Sequence, residues 1–109
     1  MNTNIVTRSI ETRIAGVSFG NRQSTIALLK VGEEVLLIRE AENVYDENAI
    51  RVYREDGNDL GFIPKELAAK LVSKFDQYGQ AVIARIVSIY SGYTPGSMRG
   101  VLLRFEIPD

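Results

Sequence analysis

The chain has 109 residues, 45% of them hydrophobic and 25% charged, with a formal net charge of -1. That balance suits one globular domain, 1–109 with a core from about residue 11 to 107, and argues against both wholesale disorder and tight non-specific binding of duplex nucleic acid. Cysteine and histidine are absent, which excludes disulfides, thiol nucleophiles, imidazole acid–base chemistry and the usual zinc ligand sets.

The opening stretch, Met1 to Ser9, is polar and lacks the apolar segment of a leader, and no apolar run approaches a membrane span; the expectation is a cytoplasmic protein without a membrane partner. Glu11 to Phe19 partly alternates polar and apolar residues and carries β-branched ones, predicting a first strand that Gly20-Asn21 breaks. Ser24 is placed to cap a short helix near 24–31, with Gly32 at its left-handed stop. Val35 to Arg39 is an unalternating apolar run, the signature of a central strand buried on both faces.

Asn48 to Arg54 reads as the next strand, Glu55-Asp56-Gly57-Asn58 as a hairpin turn, and Asp59 to Ile63 as the returning strand. Pro64 then opens the main helix, about 64–76: Glu66 suits its positive end, while Leu67, Leu71 and Phe75 recur every four residues. Ala68 and Val72 widen that stripe, Lys65, Lys70 and Lys74 face water, and Gly79 ends the segment. Ala81 to Tyr90 and Val101 to Ile107 are β-rich runs joined by a long, glycine-bearing loop, Ser91 to Gly100, expected to be mobile. Six strands and one main helix in this order predict a mainly β (α+β) fold, a small, partly open OB-like β-barrel.

Two stretches carry candidate chemistry. Asn43, Tyr45 and Asp46 fall in the turn before a strand, where an amide, a ring and a carboxylate can converge outside the core. A tyrosine ring stacks on a base with about 1–3 kcal/mol, and a carboxylate beside nucleic acid makes sense where a sugar hydroxyl or base amino group must be accepted, since it repels phosphate. The alternative is that Asn43 and Asp46 satisfy their own turn backbone and Tyr45 covers the barrel end. Phe62 and Lys65 flank Pro64, so a ring, an ammonium and the helix start can meet one phosphate; equally, Phe62 can turn into the core and Lys65 into water. Phe19 and Arg22, around the Gly20-Asn21 break, admit the same pair of readings: a second stacking ring with a phosphate partner, or a strand end and a surface charge. Glu40, Glu42, Asp46 and Glu47 are dense enough to raise magnesium-dependent cleavage, but no base or nucleophile accompanies them, and neither catalysis nor a metal or other cofactor is expected.

Taken together, Ala15-Gly-Val-Ser-Phe19 with Arg22-Gln23, Leu37-Ile-Arg-Glu40, Asn43-Val-Tyr-Asp-Glu-Asn-Ala-Ile50 and Gly61-Phe-Ile-Pro-Lys65 resemble the HIRAN domain over roughly residues 11 to 107. The resemblance implies a barrel related to OB-type folds, found alone or beside DNA-processing enzymes, whose eukaryotic form captures the 3′ end of single-stranded DNA. It implies that Tyr45 stacks on a terminal base, Asp46 accepts the 3′ hydroxyl and Asn43 supports the same nucleotide. Phe19 stands for a stacking tyrosine, Phe62 for a histidine and Lys65 for a phosphate-contacting lysine. Val44 replaces the usual proline of the turn and Ser18 an arginine, a cation that Arg22 is placed to supply. The expected function is a non-catalytic module for single-stranded DNA ends, acting with a DNA-processing protein; the alternative is a protein-interaction adaptor.

Overall fold

In the computed structural model, which describes residues 6–91 and 97–109, the elements run β1 (Thr7–Arg13), α1 (Arg22–Ile26), β2 (Glu34–Arg39), β3 (Ile50–Arg54), β4 (Asp59–Phe62), α2 (Lys65–Tyr78), β5 (Ala81–Ser91) and β6 (Arg99–Pro108). The six strands make one antiparallel sheet in the order β1-β6-β5-β2-β3-β4. The sheet curls without closing. Its two edges meet at one place among the described residues, where Ala15, just past β1, bridges Phe62 of β4 with N–H···O distances of 2.7 and 3.0 Å. Gly61 permits that approach, because its φ is +132° and a Cβ there would sit 2.3 Å from the Ala15 carbonyl oxygen. The architecture is therefore the mainly β, partly open barrel with one main helix that the sequence predicts.

The core lies on the inner face of the curl. Alternate residues of β6 (Val101, Leu103, Phe105, Ile107) and of β3 (Ile50, Val52) are buried there, and the Ala68, Leu71 and Phe75 stripe of α2 packs into it. Each large side chain so buried contributes about 1.5–3 kcal/mol. Leu67 and Val72 pack only partly against this cluster, and Lys74 is half-buried whereas Lys65 and Lys70 are exposed.

The remaining strands match the sequence-based expectation to within a residue or two at each end, whereas β1, α1, β2 and α2 depart from it in ways that have a physical reason. The first strand covers Thr7–Arg13 and not Glu11 to Phe19: full pairing with β6, Thr7 opposite Pro108 through Arg13 opposite Leu102, supplies the backbone bonds that a polar edge sequence does not advertise. The short helix is Arg22–Ile26, not 24–31; Ser24 lies inside it, Asn21 precedes it without a side-chain cap, and looser turns follow through Leu28 and Leu29. The Gln23 amide pins this helix, donating to the Val17 and Arg99 carbonyls and accepting from the Arg99 N–H. In β2, Val35 and Leu37 are buried while Leu36 and Ile38 are only partly so: the strand is central, as expected, but its two faces differ. The main helix runs Lys65–Tyr78, with Pro64 (φ -52°, ψ 140°) as its N-cap and not its first residue, and Gly79 at positive φ ending it. The expected mobility of the loop between β5 and β6 falls on residues 92–96, outside the described residues.

Candidate functional site

On β3 the buried Ile50 and Val52 alternate with Arg51 and Tyr53, which therefore face away from the core, and Arg51 pairs across to Phe62 of β4. Over this outer face opens a cleft of about 720 Å³. Four chain segments border it: Ala15 to Arg22 leading into α1, the turn between β2 and β3, the end of β4, and the first residue of α2. All seven residues singled out from the sequence, Phe19, Arg22, Asn43, Tyr45, Asp46, Phe62 and Lys65, line it, together with Arg51 and Asp59.

The turn is a pair of side-chain-to-backbone rings. The Asn43 Oδ1 accepts from the N–H groups of Tyr45 (2.9 Å) and Asp46 (3.1 Å), and the Asp46 Oδ1 accepts from the Asn48 N–H (2.9 Å). Asn43 and Asp46 thus do satisfy their own turn. Doing so fixes the rest: Asp46 keeps its second carboxylate oxygen without a partner among the described residues, and the tip projects with Val44 88% and Tyr45 92% exposed. Tyr45 does not cover the barrel end. Tyr45 also lines a second cleft of about 680 Å³, with Arg39, Glu42 and Gln80.

Beneath the tip lies a chain of alternating charge. Arg22, only 7% exposed, donates from Nε to the Asp59 Oδ2 (2.9 Å) and from Nη1 to the Gly16 carbonyl (2.8 Å). The same Asp59 oxygen accepts from Arg51 Nη1 (3.0 Å), and Arg51 Nε donates to the Glu40 Oε2 (2.7 Å). The other Glu40 oxygen accepts from the Asn43 Nδ2 (3.0 Å), joining the charge chain to the turn. The guanidinium carbon of Arg22 lies 5.3 Å from the ring centroids of both Phe19 and Phe62, and that of Arg51 lies 4.4 Å from Phe62. Such contacts contribute about 0.5–2 kcal/mol each, more as water is excluded.

This assigns different duties to residues that looked alike in the sequence. Arg22 is neither a surface charge nor an uncommitted cation, because three of its nitrogens are spent on Asp59 and Gly16. Phe62 is neither inward-facing core nor a bare platform: it is half-buried on the outer face with guanidinium over it. Phe19, 73% exposed, and Tyr45 are the open rings, and Lys65, exposed at the helix start, pairs with no carboxylate among the described residues. Burial pushes the Glu40 carboxyl up, but hydrogen bonds from Arg51, Asn43 and Tyr53 and the Arg51 charge outweigh it and hold the group below its ordinary value. The Glu40 hydrogen bond in turn raises Arg51, and burial raises the Tyr53 phenol. Among the described residues no three carboxylates converge as a metal site.

Arg51 and Asp59 are the members that sequence reasoning passed over. A signal was present: a four-residue turn over 55–58 places Arg51 opposite Phe62 by counting back along the hairpin, hence on the same face as the aromatic candidate.

These features define a class: an open, OB-like barrel carrying an aromatic, charge-lined cleft on the outer face of its sheet. Within that class the chain belongs to the HIRAN domain family, whose model matches residues 7–97. A Fanconi-associated nuclease 1 homolog from Arabidopsis thaliana is 36% identical over 81 residues, 74% of this chain and 9% of that protein. A helicase-like transcription factor from Oryctolagus cuniculus is 50% identical over 44 residues, 40% of this chain and 4% of that one; the chain thus spans under a tenth of either relative. Among solved structures, the crystal structure of the HIRAN domain of human HLTF superposes with a TM-score of 0.64 at 25% identity, covering 93% of this chain and 77% of that one. A Lactobacillus plantarum protein shares the fold with a TM-score of 0.70 at 22% identity over 94% of this chain and 99% of that one.

Proposed function

We propose that this protein is a non-catalytic module that binds single-stranded DNA at its 3′-hydroxyl end and serves a DNA-processing protein. The observation that carries the reading is the division of labour in one cleft: an open ring at Tyr45 and, among the described residues, an unpartnered oxygen of Asp46 beside it and Lys65 as the cation not committed to a carboxylate. A terminal sugar offers the hydroxyl that the Asp46 carboxylate can accept, the last base offers a face for Tyr45 or Phe19, and the single preceding phosphate suits Lys65 and the start of α2. Arg22 and Arg51, held by Asp59 and Glu40, shape the floor and leave the phosphate to Lys65. Relatives named as a nuclease and as a helicase-like factor are consistent with a role in DNA processing.

Fluorescence anisotropy with a short labelled oligonucleotide tests this directly. The 3′-hydroxyl form should bind roughly tenfold or more tightly than the 3′-phosphate form, because the phosphate would confront the Asp46 oxygen unpaired. Tyr45→Ala should cost about 1–3 kcal/mol of binding while leaving thermal stability unchanged, since the ring is almost wholly in water. Asp46→Asn, which keeps an oxygen for the Asn48 N–H, should erase the preference between the two ends. Equal and negligible binding of every oligonucleotide would instead leave the protein-interaction adaptor as the reading.

A further inference from the structure

Arg39 and Glu40 stand where β2 hands over to the binding turn, and their side chains take hold of its two ends. Glu40 accepts from the Asn43 Nδ2 at 3.0 Å on one oxygen, and on the other from Arg51 Nε at 2.7 Å and the Tyr53 hydroxyl at 3.4 Å. Arg39, whose side chain is 8% exposed, donates from Nη1 to the Glu47 carbonyl and from Nε to the Asp76 Oδ1 of α2 at 3.2 Å. The backbone closes the same frame: the Glu40 N–H donates to the Ala49 carbonyl (2.8 Å) and the Asn43 N–H to the Glu40 carbonyl (3.1 Å).

The Glu40 bond matters beyond holding a loop in place. An asparagine amide has two sides that are sterically alike and chemically opposite. By accepting from the Asn43 nitrogen, Glu40 turns the Asn43 oxygen toward the Tyr45 and Asp46 N–H groups, and those two bonds aim the ring and the carboxylate. We infer that Arg39 and Glu40 are positioning residues for the nucleic-acid site: they touch no ligand, and they set the orientation of Tyr45 and Asp46 through Asn43 at one end of the turn and Glu47 at the other. The inference rests on the reading of Asp46 and Tyr45 given above, and it adds Arg39 and a second role for Glu40.

Glu40→Gln is the informative substitution because it keeps shape and removes one acceptor. The glutamine nitrogen must then confront either the Asn43 amide or the Arg51 guanidinium, donor against donor, unless Asn43 flips and abandons the turn. The expected result is a loss of affinity for the 3′-hydroxyl oligonucleotide of roughly tenfold or more, the scale of one charge-assisted hydrogen bond. In the free protein, NMR amide exchange at Tyr45 and Asp46 should quicken. Glu40→Gln on top of Asn43→Ala should cost nothing beyond Asn43→Ala alone, since both act through one bond.

Affinity within about twofold of the wild type, additive effects in the mutant cycle, or unchanged amide exchange would each overturn the inference. Glu40→Asp, which keeps the charge but is too short for both donors, should fold and bind with intermediate affinity; if it and Glu40→Gln both fail to fold by circular dichroism, the pair is merely structural and the inference falls. Absence of oligonucleotide binding by the wild type would refute the functional reading, while the exchange arm, which needs no ligand, still judges the positioning role.

Discussion

A single hydrogen atom decides whether the site can form at Gly61. Its φ of +132° is one that side-chain-bearing residues rarely adopt, and a Cβ would meet the Ala15 carbonyl oxygen at 2.3 Å and Ile14 Cγ2 at 2.8 Å. The Ala15 to Phe62 bridge sits directly beside it, and Phe62 and Ala15 both line the cleft. Gly61→Ala should therefore destabilise the fold by at least about 2 kcal/mol, measurable by urea denaturation, and weaken ligand binding in whatever fraction stays folded. The same scale shows what a sequence can and cannot disclose about a site. Asn43, Tyr45, Asp46, Phe62 and Lys65 stood out as candidates because they are turn residues, rings and a helix-start cation, but the pattern left a turn, core or solvent reading open for each, and only the packing puts them along one cleft. Which of them is open was not legible: Phe62 and Tyr45 are both aromatic neighbours of polar residues, and only the pairing of Arg51 with Asp59 and Glu40 brings a guanidinium over one ring and leaves the other in water.

Elements were legible where their own residues bury them. α2 declares itself through Leu71 and Phe75, and β6 through four alternating core residues, because the signal and the stabilising burial are the same side chains. β1 has no such stripe; its bonds come from β6 nearly a hundred residues later, and no local window contains them. α1 was misplaced for the same reason, since Arg22 and Gln23 are held by Asp59 and Arg99 and not by capping chemistry. The link from β2 to β3 through Glu40, Arg51 and Asn43 makes a pH-dependent claim. Glu40 titrates lower in the folded protein than in the unfolded chain, so its contribution is complete above the ordinary carboxylate value and disappears as pH falls through the folded one. In chemical denaturation, the stability gap between wild type and Glu40→Gln should be largest near neutrality and should narrow as pH drops below about 5. A gap that stays constant down to about pH 3 would mean that the Glu40 charge is not what holds the link.

For the molecule as a whole, the charge balance of -1 conceals how the cations are used. Among the described residues Arg22, Arg39, Arg51, Arg54, Arg85 and Arg104 all pair with carboxylates, and within the cleft this leaves Lys65 as the cation without a carboxylate partner. The near-neutral sequence already pointed to a local site; that these six arginines are each neutralised by a carboxylate could be known only from the packing. The consequence is quantitative. Single-stranded binding weakens with a slope of about 0.7 log units of affinity per log unit of salt for each phosphate neutralised. One or two phosphates then predict a loss of only about threefold to sevenfold between roughly 50 and 200 mM salt, where six contacts would lose more than about a hundredfold. Lys65→Ala should flatten what slope there is while preserving the preference for a 3′ hydroxyl, because in the proposed reading Asp46 carries that preference and the ammonium carries the slope. If the slope stays steep, or if Lys65→Ala removes end preference and salt dependence together, the sugar and the phosphate are not being read by separate groups, and the partition of the cleft into a hydroxyl-accepting side and a phosphate-holding side is wrong.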